Sequence, residues 1–174
     1  VGTPVVREAL IVLQEQGFVR RITNTGTYVT KFDHDEVRQL YLLRVELEVL
    51  AFQWARPRVA EDDLAGLRRA VDLLVAAGEG GDRREFLERD LEFHRRSWTL
   101  SGNAYLTDTL ERLMTPLFAF AVLASGVPLT ASMAREHYGL VDALANLQEP
   151  EFSVTIRRIV SGFAFRWIST MEKS

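Results

Sequence analysis

The sequence predicts a mainly α protein in two parts: a helix-and-hairpin head over residues 1–31 and an antiparallel bundle of six helices over residues 32–174. Three observations carry that prediction. β-favouring runs occur only in the head. Beyond it, apolar residues recur every three or four positions between short Gly- and Pro-marked breaks. The charge divides at the same place. Residues 1–31 hold four basic and two acidic side chains, a net +2, and the remainder 17 basic and 22 acidic, a net −5, so the overall −3 conceals a basic head on an acidic body.

The totals exclude several classes. Apolar residues make up 47% and charged residues 26% of the 174, a globular balance rather than a disordered one. With no cysteine, the chain has no disulfide, thiolate metal site or cysteine nucleophile. No apolar run approaches the ~20 residues of a membrane span and no segment reads as a signal peptide, so a soluble, cytoplasmic protein with no membrane partner is expected.

In the head, "TPVVREALIVLQEQG" reads as a helix with Thr3 as N-cap, Pro4 in the first turn and Gly17 as terminator. Its apolar stripe is Val6, Ala9, Leu10 and Leu13. "FVRRITNTGTYVT" then gives two short β runs around Asn24-Thr25-Gly26, a hairpin. A helix followed by an arginine-bearing hairpin is the second half of a winged helix-turn-helix.

Six helices follow. The first runs from about Asp35 to Arg56, before Pro57, and the second over roughly 60–77, ending at Gly78. The third spans about 82–100 and closes at Gly102; Asn103 caps the fourth, which ends near Ser125. The fifth covers about 129–147, and Pro150 opens the sixth. Short connections between amphipathic helices imply an antiparallel bundle.

Three of these helices carry ionisable residues inside the apolar stripe. Arg44 and Glu48 interrupt Val37, Leu40, Tyr41, Leu47 and Ala51; Asp90 and His94 lie among Phe86, Leu87, Leu91 and Trp98; His137 sits between Met133 and Val141. Burying such groups unpaired costs several kcal/mol each, so they must pair, bind an ion or line a wet cavity. Asp90 and His94, at i and i+4, can approach one cation, with His137 as a third ligand from across the bundle. Arg44 offers a fork suited to a carboxylate or phosphate. A polar effector cavity and a purely structural network both satisfy these constraints.

"TPVVREALIVLQEQGFV" with "TGTYV" resembles the recognition helix and wing of GntR-family transcription regulators. The helical remainder resembles the FCD ligand-sensing domain of the FadR-type branch, through "LRVELE" (43–48, with Arg44 and Glu48), "DLEFH" (90–94), "SGN" (101–103) and "EHYGLVDAL" (136–144). The resemblance covers essentially the whole chain. It implies a homodimeric, cytoplasmic DNA-binding regulator, a repressor in the first instance, that binds a double-stranded DNA operator and is switched by a small organic acid. It also implies that Thr3, Arg7, Thr25, Gly26 and Thr27 contact DNA, and that Arg44, Glu48, Asp90, His94 and His137 line the effector site. Asp90, His94 and His137 match three ligands of the divalent metal, Zn2+ or Ni2+, that many relatives hold. The remaining histidine position falls near Ile159 or Val160. Without it, the same residues could instead bind an anion directly.

Two further departures stand out. "VGT" replaces the arginine that often precedes "TP", and the first two helices of a winged domain are not in this sequence, so weak operator binding is expected of the chain as written. Trp54, Phe118, Phe120 and Trp167 are candidate dimer contacts if exposed. The rival reading is a metal-dependent hydrolase on Asp90, His94 and His137 with Glu48 as general base. It finds no hydrolase motif and leaves the basic head without a role. A bundle used only for dimerisation is a third reading.

Overall fold

The computed structural model describes residues 2–123 and 129–171, with side chains throughout except at 121–123, 164, 167, 170 and 171. In the head, α1 (Thr3–Glu15) is followed by an antiparallel hairpin, β1 (Val19–Ile22) and β2 (Gly26–Val29), with Val19 opposite Val29 and Ile22 opposite Gly26. Asn24 takes φ 61° in the turn, a conformation that asparagine tolerates. Thr30 Oγ1 donates to the Gly17 carbonyl at 2.6 Å, tying the strand end to the helix end.

Two expectations for α1 are corrected. Its N-cap is Gly2, not Thr3, which is already helical and caps nothing. Its stripe is not buried either: Val6 and Leu13 are exposed and only Leu10 is half-covered. The hairpin touches α1 at its end and leaves the stripe open.

Among the described residues seven helices follow the head, not six: α2 (His34–Ala55), α3 (Glu61–Gly80), α4 (Arg83–Thr99), α5 (Ala104–Leu123), α6 (Ala131–Arg135), α7 (Tyr138–Asn146) and α8 (Glu151–Met171). A capping box starts α2, where Asp33 accepts from the Glu36 amide at 2.8 Å and Glu36 accepts from the Asp33 amide at 3.2 Å. Asp82 caps α4 and Asn103 caps α5 through the Leu106 amide. The predicted end near Ser125 lies outside the described residues.

The second helix does not end at Gly78. It continues to Gly80 and is terminated by Gly81 at φ 74°. Gly78 is required for close approach: a Cβ there would lie 2.6 Å from the Ala131 amide nitrogen. The single helix expected over 129–147 is divided between α6 and α7. In a continuous helix the Ala134 carbonyl would accept from residue 138; here it accepts from the His137 amide (3.1 Å) and is met by His137 Nδ1 (3.0 Å). The backbone tightens into i→i+3 bonds and the chain turns at His137.

Helix α2 lies centrally, packed on α4, α5 and α8, while α3 packs on α4, α6 and α7. The core is built from Phe52, Phe93, Trp98, Leu110, Met114 and Phe152. Of the candidate dimer contacts, Trp54 is exposed, Phe118 is buried, and Phe120 packs edge-on against Phe32; the Trp167 side chain lies outside the described residues.

Candidate metal and effector site

Five elements converge on one point of the core. α2 presents Tyr41, Arg44 and Glu48 from one face, and α4 presents Asp90, His94 and Trp98 at i, i+4 and i+8. The turn between α6 and α7 brings His137. Phe118 from α5 and Phe163 from α8 complete the wall. Arg44, Glu48, His94 and His137 are buried and Asp90 nearly so.

The contacts assign the imidazole tautomers. His137 Nδ1 lies 3.0 Å from the Ala134 carbonyl, which can only accept, so Nδ1 carries the proton and Nε2 the lone pair. The Arg44 guanidinium can only donate, and its Nη2 stands 2.9 Å from His94 Nε2. Nε2 of His94 is therefore also a lone pair, and the Glu48 carboxylate, 2.8 Å from Nδ1, favours the proton on that side. Two lone pairs and a carboxylate oxygen now face one another. Asp90 Oδ1 is 2.9 Å from His137 Nε2 and 3.8 Å from His94 Nε2, and the two Nε2 atoms are 3.4 Å apart. Despite these short distances, Asp90 Oδ1 is buried without a hydrogen-bond donor aligned to it.

Such a convergence of acceptors calls for a cation. An ion with bonds of ~2.0–2.1 Å holds neighbouring ligand atoms ~2.9–3.4 Å apart in octahedral or tetrahedral geometry, close to the observed triangle. One oxygen and two imidazole nitrogens form a donor set that suits Zn2+ or Ni2+. The residues fit the group. From α8, the side chain against the cluster is Phe163, stacked on His137 at 4.5 Å between centroids; Ile159 packs beside Gly139, where a Cβ would meet its Cδ1 at 2.9 Å. Among the described residues Asp90, His94 and His137 would hold the ion.

Neighbouring charges offset the cost of burial around this triangle. Burial pushes the Glu48 carboxyl upward, but Arg44, His94 and the Trp98 N–H (2.8 Å) overcome it and hold the carboxyl far below the usual range. Burial likewise opposes ionisation of Asp90, and the nearby charge of Arg44 works for it. Burial lowers the His94 pKa against the pull of Glu48. Burial works against the Arg44 charge too, and Glu48 more than offsets it, so Arg44 stays charged. A carboxylate so committed is no general base, which removes the catalytic group that the hydrolase reading needs.

Reasoning from the sequence identified the five ionisable residues and missed the aromatic ones. Tyr41, with the Arg44 guanidinium 5.7 Å from its ring centre, and Trp98, bonded to Glu48, were read as apolar stripe. Their spacing from Arg44 and His94 (three and four residues) was the available signal. Phe163 carried none.

In the head, Thr3, Arg7, Thr25, Gly26 and Thr27 line one groove between α1 and the hairpin, together with Arg21 and Asn24. Arg20 points elsewhere: it pairs with Glu36 at 2.9 Å, against the bundle. The head rests on α5 at Pro116, where a Cβ on Gly17 would come within 3.0 Å of Pro116 Cγ. Two residues further along α5, Phe118 lies 5.5 Å from the Arg44 guanidinium.

Residues 39–161 match the FCD domain family. The chain is 34% identical over 110 residues to the Nta operon transcriptional regulator of Aminobacter aminovorans, covering 62% of this chain and 51% of that protein. It thus spans about half the length of that curated relative. Among solved structures, E. coli McbR/YncC superposes with a TM-score of 0.81 at 18% identity, covering 99% of this chain and 87% of the other. A GntR family regulator from Pseudomonas syringae pv. tomato gives 0.67 at 20% identity, covering 100% and 74%. At these identities the superpositions speak to the fold.

Proposed function

The chain belongs to the FCD domain family, as a GntR/FCD-type regulator, and from that premise we propose that it is a metabolite-responsive, DNA-binding transcriptional regulator. Its effector is a small carboxylate held in the bundle beside Asp90, His94 and His137. The observation that carries this reading is the triangle of acceptor atoms of Asp90, His94 and His137, buried against Arg44. It is a place for a cation next to a place for an anion.

The three ligands would hold a divalent ion, whose charge and open coordination position would receive an effector oxygen. Arg44, whose Nη2 lies 2.9 Å from His94 Nε2, would take the remaining carboxylate oxygen. Glu48 keeps Arg44 oriented through Nε (3.1 Å) and favours the His94 tautomer that leaves Nε2 open. Phe118 packs on Arg44 and His94, and Pro116, half a turn away, supports Gly17 of the head. A change in the site that shifts α5 therefore bears on α1 and the hairpin. An effector can bias the heads only by its differential affinity for two arrangements, typically ~1–3 kcal/mol of coupling. In a homodimer the two heads would address half-sites ~34 Å apart. Thr3, Arg7 and residues 25–27 would face the DNA from the groove they share. No helix among the described residues is long and apolar enough to cross a membrane.

The test is metal content per chain in protein purified without chelator or histidine tag, beside His94→Ala. About one ion per chain, lost in the variant, supports the reading. No ion after incubation with Zn2+ or Ni2+ overturns its metal part and leaves a direct anion pocket at Arg44. Operator binding that ignores every carboxylate tried would overturn the sensing role.

A further inference from the structure

The lone pair of His94 Nε2 has two claimants. Arg44 Nη2 donates to it at 2.9 Å, and the same atom is one corner of the acceptor triangle. An imidazole nitrogen has one in-plane lone pair, so it accepts from a guanidinium or ligates an ion, not both. Arg44 also brings a positive charge, held by Glu48, to the edge of the position a dication would take. The guanidinium lies against the Tyr41 and Phe118 rings, and its hold on Glu48 is uneven. Its Nε–Glu48 bond (3.1 Å) can persist while the Nη2 end swings away, because the second contact to Glu48 is long at 3.5 Å.

We propose that Arg44 is a built-in competitor for the metal position: it occupies His94 Nε2 in the metal-free protein, must leave before that atom can ligate, and on leaving presents its guanidinium to a carboxylate. Cation and carboxylate then bind with positive cooperativity because one side chain stands between them. This rests on the metal reading above and assigns Arg44 a role beyond anchoring the anion. The coupling is reciprocal. The factor by which a carboxylate tightens the ion equals the factor by which the ion tightens the carboxylate.

The consequence runs against intuition, since deleting a charged contact beside the ligands should strengthen metal binding. The variant is the pair Arg44→Met with Glu48→Gln, in which one positive and one negative charge leave together. The local net charge is then unchanged, the Glu48 carboxylate is not left without Arg44, and the glutamine oxygen can still accept from Trp98. Zn2+ affinity is measured on the full chain by competition with a chromophoric chelator, with circular dichroism to establish folding. Releasing a charge-assisted hydrogen bond predicts affinity at least about tenfold tighter than wild type. Propionate should tighten Zn2+ in wild type and lose that effect in the pair. Equal or weaker Zn2+ binding by the folded pair, with wild-type binding intact and lost in His94→Ala, overturns the competition and leaves the metal site standing. Propionate tightening that survives in the pair overturns the transfer of Arg44 to the carboxylate. Absence of Zn2+ binding in wild type and pair alike overturns the metal site, and the competition with it. Should the pair fail to fold, the wild-type propionate response decides: no tightening overturns the coupling.

Discussion

Gly66 and Gly78 lie in the same helix, α3, and replacing each with alanine should move stability in opposite directions. Alanine is better than glycine in a helix interior by about 1 kcal/mol, so propensity alone favours both changes. At Gly66 the new methyl meets only the Arg69 guanidinium at 3.9 Å, an ordinary contact, and the full gain is expected. At Gly78 it would lie 2.6 Å from the Ala131 nitrogen and 2.9 Å from both Ala131 Cα and Thr130 C, all backbone atoms that no rotamer change can remove. Overpacking of that kind costs ~1–3 kcal/mol, and the upper end applies because the first turn of α6 must shift as a unit. The net for Gly78→Ala is a loss of about 2 kcal/mol, or a urea midpoint lower by ~1 M at a slope near 2 kcal/mol/M. Urea unfolding followed by circular dichroism reads both variants. The shift also propagates to His137, six residues beyond Ala131, so Gly78→Ala should weaken Zn2+ binding while Gly66→Ala leaves it unchanged. A Gly78→Ala protein as stable as Gly66→Ala would refute the steric argument, and with it the account of why this helix runs through a glycine.

Three further outcomes follow from the same geometry. Trp98→Phe removes the N–H that Glu48 Oε1 accepts at 2.8 Å and should cost ~1.5–3 kcal/mol in thermal or urea unfolding; an unchanged midpoint would mean that Glu48 is satisfied without it. In the chelator-treated protein, stability should fall steadily as pH drops from 7.5 to 5. The His94 pKa is lowered in the fold, so its contribution is present above the ordinary value of 6.5 and lost as the unfolded chain takes up the proton first. Asp90 and Glu48, also lowered, extend the same loss below pH 4.5. A flat profile between 7.5 and 5 would contradict this. Gly17→Ala places a side chain at φ 80°, a cost of ~1–2 kcal/mol, against Pro116, and should loosen the head while sparing the bundle. Faster tryptic cleavage after Lys31 is the readout; an unaltered rate would show that the head does not rest on α5 there.

The sequence by itself determined the class of each element and which ionisable residues interrupt the core. Helical periodicity, capping residues and the Asn24–Gly26 turn are local signals, decided within four or five residues, and they yielded the hairpin, the order of the helices and most of their ends. The interruption of three apolar stripes by Arg44, Glu48, Asp90, His94 and His137 was equally local, because an ionisable group at a core position is legible wherever its partner lies. Tertiary structure decided what those groups do to one another. Only the crossing of α2, α4 and the turn after α6 puts Arg44 on the lone pair of His94, with Asp90 and His137 at 2.9 Å. Two of the misread elements, both in the bundle, have the same origin. α3 passes through Gly78 because Ala131 crosses there, and residues 129–147 divide because the ring and amide of His137 take the Ala134 carbonyl. Propensity is a free energy of about 1 kcal/mol per residue, and a single close packing contact or a rerouted hydrogen bond outweighs it.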